Sequence, residues 1–186
     1  LGAFPLAREI GADGVEVDLG SLGERETFDN QLRDPSVARQ FTDAARTSGV
    51  AISSLAMSGF YAQSFAERST VDRMVADCIE TMARVAVRVA FLPLGVKGDL
   101  TRQPELRPAI VARLRSAGRR AEAAGVVIGI ETSLPAAEES QLLEEIGSPA
   151  IRIYFNFANA LQAGREQHES PEILRYLERN VLLRAI

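Results

Sequence analysis

Three segments of the chain repeat one local chemistry: Ile10-Gly-Ala-Asp-Gly-Val15, Thr47-Ser-Gly-Val-Ala51 and Ala123-Ala-Gly-Val-Val127. In each, a helix-like stretch ends at a glycine and a Val-rich run follows. Glycine adopts the left-handed conformation that closes a helix without a Cβ penalty, so each junction reads as helix end, then strand. Strand candidates begin near Val15, Val50, Val87, Val126, Ala150 and Val181, at separations of 35, 37, 39, 24 and 31 residues. A βα repeat takes roughly 30 residues. A chain punctuated in this way alternates strands with helices and builds a parallel sheet, because parallel neighbours need a crossover that a hairpin cannot supply.

The intervening segments carry helical periodicity. From Ser69 onward, Val71, Met74, Val75, Cys78, Ile79 and Met82 follow the i, i+3, i+4, i+7 rule. Ser69 with Asp72 predicts a capping box, with Asp in the place of the usual Glu. Asp34-Pro35 and Ser170-Pro171 each pair an N-cap residue with a proline at the first helical position. A further helix is predicted from about Pro104 to Ala124, on Ile110, Leu114, Ala117 and Ala121.

Strand parity separates two kinds of sheet. Val126, Ile128 and Ile130 share one face, while Val127, Gly129 and Glu131 share the other. Ile151, Ile153 and Phe155 likewise oppose Arg152, Tyr154 and Asn156, and Val15, Val17 and Leu19 oppose Gly14, Glu16 and Asp18. One face is thus apolar and the other mixes small and polar groups. A doubly wound sheet, covered by helices on both faces, favours apolar residues on both. A (β/α) barrel needs only its outer face to meet helices, so the barrel is the preferred α/β architecture. No G-x-G-x-x-G and no G-x-x-x-x-G-K-[ST] follows any strand, which disfavours dinucleotide and P-loop chemistry.

Composition narrows the function. The 186 residues suffice for one domain, read here as residues 1–186, with 46% apolar and 25% charged residues. A net charge of -4 and a pI near 5.2 argue against nucleic acid, whose phosphates are bound by clustered Lys and Arg. The single cysteine, Cys78, excludes an internal disulfide and lies on the apolar face of a predicted helix, as a buried thiol. No apolar run approaches the ~20 residues that span a bilayer, and no signal-like segment opens the chain, so a cytoplasmic location is expected. Leu1 runs directly into a helix-like segment, and Asn180-Val-Leu-Leu-Arg-Ala-Ile186 reads as a strand without its following loop. The expectation is an internal portion of a longer protein.

Glu131 closes the run Val126-Val-Ile-Gly-Ile-Glu-Thr132, and Asn156 closes Ile151-Arg-Ile-Tyr-Phe-Asn156. The carboxyl ends of parallel strands are where (β/α) enzymes place their chemistry. Two neighbouring strands that end in oxygen donors suggest a polyol or metal site; the structural alternative for Glu131 is a salt bridge to Arg152. Glu16 and Asp18 lie near the end of a strand on the interior face, suited to substrate hydroxyls or to pairing with Arg88 or Arg152. Tyr61 and Lys97 fall in loops after strands, where Lys97 could meet a phosphate or remain a solvated lysine. His168, the only histidine, sits in a polar run away from strand ends and reads as a surface residue.

The order Gly14-Val-Glu-Val-Asp-Leu19, Phe91-Leu-Pro-Leu-Gly95, Gly129-Ile-Glu-Thr132 and Asn156-Phe-Ala-Asn159 resembles the xylose isomerase-like TIM-barrel family. That family comprises sugar and sugar-phosphate isomerases and epimerases, with endonuclease IV as a relative. The resemblance implies an incomplete (β/α)8 barrel of about six βα units, with the family's first and eighth strands outside the chain. It implies one divalent metal (Mn, Mg, Co or Zn) at the mouth, held by a Glu of the family's fifth strand, an Asp of the sixth, a His and a further Glu. Glu131 matches the first ligand. Asn156 stands at the second, where an amide oxygen can ligate a hard cation but brings no negative charge. The family's Asp-x-x-His or Asp-x-x-Asn pattern reads Asn156-x-x-Asn159, and the other two ligands fall beyond Ile186.

The implied chemistry is proton transfer next to a carbonyl, with the metal stabilising an enediolate and Glu131 as acid/base. Glu16, Asp18, Tyr61, Lys97 and Asn159 are the expected substrate contacts. The expected partner is a small sugar or sugar phosphate, with no nucleic acid and no membrane, and self-association through strand edges is an expected oligomeric state. A non-catalytic sugar-binding barrel that has lost its metal is the rival. Endonuclease activity fits poorly with an acidic chain that carries a single histidine.

Overall fold

The computed structural model describes residues 1–22 and 26–156, together with the backbone of 181–183. Helices and strands alternate throughout: α1 (Ala3–Glu9), β1 (Gly14–Asp18), α2 (Pro35–Ser48), β2 (Ala51–Ala56), α3 (Val71–Arg84), β3 (Val89–Pro93), α4 (Arg107–Ala124), β4 (Val127–Glu131), α5 (Ala136–Ile146), β5 (Ile151–Phe155) and β6 (Val181–Leu183). Short 3-10 turns precede α2 (Gln31–Arg33) and α4 (Pro104–Leu106), and one follows β2 (Ser58–Tyr61).

The expected punctuation explains where these elements end. Asp34 caps α2 by accepting from the Ser36 N–H at 2.7 Å, with Pro35 at the first helical position. Gly49 (φ 70°) and Gly125 (φ 67°) close α2 and α4 in the left-handed region that a Cβ would strain. The Ser69–Asp72 capping box is corrected: the N-cap of α3 is Thr70, and it makes no side-chain cap. The Thr70 hydroxyl instead accepts from Arg68 Nε at 3.0 Å, and Asp72 accepts from Ser116 on α4 at 3.3 Å. For Asp72 a tertiary partner thus takes the place of the local box. Ser170-Pro171 lies outside the described residues.

The six strands form one parallel sheet in the order β1-β2-β3-β4-β5-β6. Sequential order is the wall of a (β/α) barrel; a doubly wound sheet reverses its order at a switch point. The core lies between the apolar faces of the strands and the helices. Leu55, Ala90, Leu92, Ile128, Ile130, Ile151, Ile153 and Phe155 share a cluster with Met74, Cys78, Met82, Ile110, Leu114, Ala121 and Leu142 of the helices. On the other face, Ala56, Phe91 and Tyr154, with Val89, form a separate small cluster. Among the described residues the helices pack on one face, and the second carries this small cluster of strand side chains. The fold is a partial (β/α)8 barrel.

One local irregularity matters for the site. The β1–β2 register shifts between Val15, opposite Ile52, and Glu16, opposite Ser54. Such a bulge places two residues of one strand against one of its partner and re-aims the side chains that follow. Ser54 thereby faces Glu16.

Candidate active site

Glu131 ends β4 and is only 4% exposed. A carboxylate so far removed from water requires donors, and two neighbouring elements supply them. Asn156, just past β5, donates its amide Nδ2 to Glu131 Oε1 at 2.7 Å. The Tyr61 hydroxyl, on the 3-10 turn after β2, donates to Glu131 Oε2. The main chain is fixed as well, since the Glu131 carbonyl accepts from Leu94 N–H at 2.9 Å. Both carboxylate oxygens are therefore held in defined positions at the carboxyl end of the sheet.

A second carboxylate, Glu16, lies on the same interior face. It accepts from Ser54 Oγ at 2.8 Å and from the Tyr154 hydroxyl at 3.0 Å. The Tyr154 ring packs on Phe91 with centroids 4.9 Å apart, and the Tyr61 ring packs on the same Phe91 at 6.1 Å. Strand β5 thus ties down both acids, through Tyr154 and Asn156, two residues apart on one face. Asp18 ends β1 and turns to its own loop, accepting from the Gly20 N–H at 2.6 Å. Lys97 is exposed in the loop after β3, against residues 62–70 rather than against Glu131. Asn159 and His168 lie outside the described residues.

Sequence reasoning passed over three participants. Ser54 was hidden by the bulge, and Tyr154 was placed on the interior face without a role. Glu139, 4% exposed in the first turn of α5, accepts from Thr132 Oγ1 at 2.5 Å, and Thr132 directly follows Glu131. A first-turn acid is favoured by the helix macrodipole, and that was its only signal in the sequence.

Glu131 and Asn156 fit two positions of a hard divalent cation. Both offer oxygen, and their contacting atoms stand 2.7 Å apart, near the ~3 Å edge of an octahedron with bonds of about 2.1 Å. Rotating the Asn156 amide by half a turn would present its oxygen in place of Nδ2. Among the described residues no three His, Cys, Asp or Glu side chains gather into a fuller ligand set.

Comparison with known proteins places this geometry. The family model described as xylose isomerase-like TIM barrel matches residues 4–183. A 2-epi-5-epi-valiolone 7-phosphate 2-epimerase from Actinoplanes sp. is 30% identical over 165 residues, covering 87% of this chain and 58% of that protein. The chain thus spans little more than half the length of this relative. The structure of D-psicose 3-epimerase with D-tagatose from Clostridium cellulolyticum H10 superposes with a TM-score of 0.73 at 12% identity, over 98% of this chain and 65% of that one. A xylose isomerase-like TIM barrel protein from Mycobacterium smegmatis, in complex with magnesium, gives 0.68 at 16% identity, over 95% and 62%. At such identities the two structures speak for the fold, while the family model spans nearly every described element. With the family model matched from residue 4 to residue 183, the chain belongs to the xylose isomerase-like TIM-barrel family.

Proposed function

We propose that this chain carries the acid/base half of a sugar or sugar-phosphate isomerase or epimerase, with Glu131 as the proton-transferring group. The observation that carries the reading is the treatment of Glu131: buried, at the carboxyl end of a barrel strand, with Tyr61 and Asn156 each fixing one oxygen. A carboxylate held in one orientation is prepared to meet a C–H bond, and a flexible one is not. The 30% identical relative, named as an epimerase, supports the same class.

In this reaction Glu131 removes the proton from the carbon next to the substrate carbonyl, and the C–H electrons move into an enediolate. Return of a proton to the same carbon from the opposite face inverts it, and return to the former carbonyl carbon isomerises. When bound, a divalent cation supplies charge stabilisation to the carbonyl and hydroxyl oxygens; Glu131 and Asn156 are the residues here that would hold it. Tyr61 orients the carboxylate and, with Asp18 and Asn159, is proposed to meet substrate hydroxyls. Glu16, held by Ser54 and Tyr154, sets the polarity of the interior face. A cytoplasmic setting, where free and phosphorylated sugars are handled, belongs to the same proposal.

One observation favours the rival, a sugar-binding barrel without metal. The Asn156 amide already satisfies Glu131, so the pair is complete without a cation. Stoichiometric divalent-ion binding by the full chain separates the two. Activity is tested by Glu131→Gln. Glutamine can keep the Tyr61 bond at its oxygen and donate its amide to a rotated Asn156, so the fold should survive. Turnover should fall at least ~10²-fold, the scale of a positioned acid/base. Unchanged turnover would remove Glu131 from the mechanism.

A further inference from the structure

Beside the Glu131 site, the loop joining the 3-10 turn to α3 encloses a cleft of about 600 Å³ with Lys97 from the loop after β3. We infer that this cleft is an anion subsite that receives the phosphate group of the substrate, an inference that rests on the sugar-phosphate reading above. Three independent features support it.

The first is a hydroxyl without a partner. Ser64 lines the cleft and is 8% exposed, and its Oγ is buried without a hydrogen bond to any described group. A buried hydroxyl left unpaired destabilises the fold, and a phosphate oxygen would accept its proton. The second is charge. Lys97 and Arg68 line the cleft against one carboxylate, Glu67. Arg68 is already set in place, with Nε on Thr70 Oγ1 at 3.0 Å and Nη1 on Gln63. Its loop is braced from α4, where Arg113 Nη1 donates to the Phe65 carbonyl at 2.9 Å and to that of Arg68. The cation is therefore held by the scaffold before any ligand arrives. The third is the end of a helix. Ser69 and Thr70 line the cleft at the N-terminus of the 14-residue α3, which has no side-chain cap. Uncapped first-turn N–H groups and the positive end of the macrodipole attract an anion.

Position links the cleft to the reaction. Ala62 lines it, and the preceding residue, Tyr61, reaches Glu131 with its hydroxyl. A substrate with its reacting carbon at Glu131 and its chain running past Tyr61 would put its terminal group in the cleft. Phosphorylated substrates would gain affinity from an end remote from the chemistry.

The test is calorimetric titration of the full chain with inorganic phosphate in chelator-treated buffer, which removes any phosphate bound through a metal. Saturable binding is expected. It should weaken about tenfold or more in Lys97→Met, the loss of one charge-assisted contact; Lys97 is exposed, so the fold is not at stake. Ser64→Ala should weaken it in the same direction, and Glu131→Gln should leave it unchanged. No saturable binding, equal affinity in Lys97→Met, or loss in Glu131→Gln overturns the inference. A Lys97-dependent phosphate site in a protein without epimerase or isomerase turnover would keep the subsite and remove the catalytic reading.

Discussion

Replacing Asn156 by aspartate turns one of the two side-chain hydrogen bonds described for Glu131 into a repulsion. Asn156 Nδ2 stands 2.7 Å from Glu131 Oε1, so Asn156→Asp puts two carboxylate oxygens where a donor and an acceptor now meet. Two unit charges at that separation repel by about 6 kcal/mol at an effective dielectric constant of 20. The pair has a cheaper escape, which is to share one proton. Protonating an ordinary carboxyl of pKa about 4 at pH 7 costs about 4 kcal/mol. The cheaper route decides, so metal-free Asn156→Asp should be destabilised by about 3–4 kcal/mol at pH 7. The sign follows from linkage: the folded variant holds one more proton than the unfolded chain, so its stability relative to the parent falls as pH rises. The deficit should shrink by about 1.4 kcal/mol per pH unit, to roughly 1 kcal/mol at pH 5, and vanish near pH 4. Urea denaturation at pH 5 and 7 with chelator measures it, and millimolar Mn²⁺, offered a second carboxylate, should restore most of the loss at pH 7. A deficit below ~1 kcal/mol at pH 7, or one independent of pH, would show that the two side chains do not meet as described.

Two further outcomes follow from groups outside the site. Cys78 is fully buried, and burial, reinforced by the neighbouring Asp77 charge, pushes its thiol well above the usual range. It should resist a thiol reagent such as dithionitrobenzoate in the native protein and react fully in guanidinium; rapid native reaction would place it at the surface. At the start of α2, side-chain and backbone hydrogen bonds from Ser36 hold the Asp34 carboxyl below the usual carboxylate range. A depressed folded pKa gives stability that is present above the unfolded value near 4 and lost as pH falls through the folded one. Asp34→Ala should therefore lower the melting temperature at pH 7 and lose that effect in strong acid. An equal deficit at both pH values would mean the cap does not act through its charge.

Much of this fold was readable because its punctuation is local. Glycine stops at residues 49 and 125 and the Asp34-Pro35 start depend on a few adjacent residues, and the observed strands begin within two residues of Val50, Val87, Val126, Ala150 and Val181. The α3–β3 junction gave no such signal, because the left-handed position there is taken by Ala86 (φ 57°) rather than by glycine. Parity placed Glu131 and Asn156 on one face, and they meet there. What sequence could not supply is set by the path of the chain in space. Tyr61 reaches Glu131 across 70 residues of sequence, through a turn whose direction is fixed by Phe60 and Phe91 packing. The bulge beside Glu16 reverses the parity of β2 and brings in Ser54. The expected cap at Ser69 is replaced by a local bond from Arg68 to Thr70 and by a tertiary bond from Ser116 to Asp72.

The central claim, proton transfer by Glu131, is tested most directly by solvent isotope exchange. The full chain, supplied with Mn²⁺ and a panel of free and phosphorylated hexuloses in D₂O, should place deuterium on the carbon next to the carbonyl of its substrate. Proton NMR would follow the loss of that C–H signal. The account predicts exchange by the parent protein and at least ~10²-fold slower exchange by Glu131→Gln, with the melting profile retained. Exchange at the parent rate in a folded Glu131→Gln protein would contradict it.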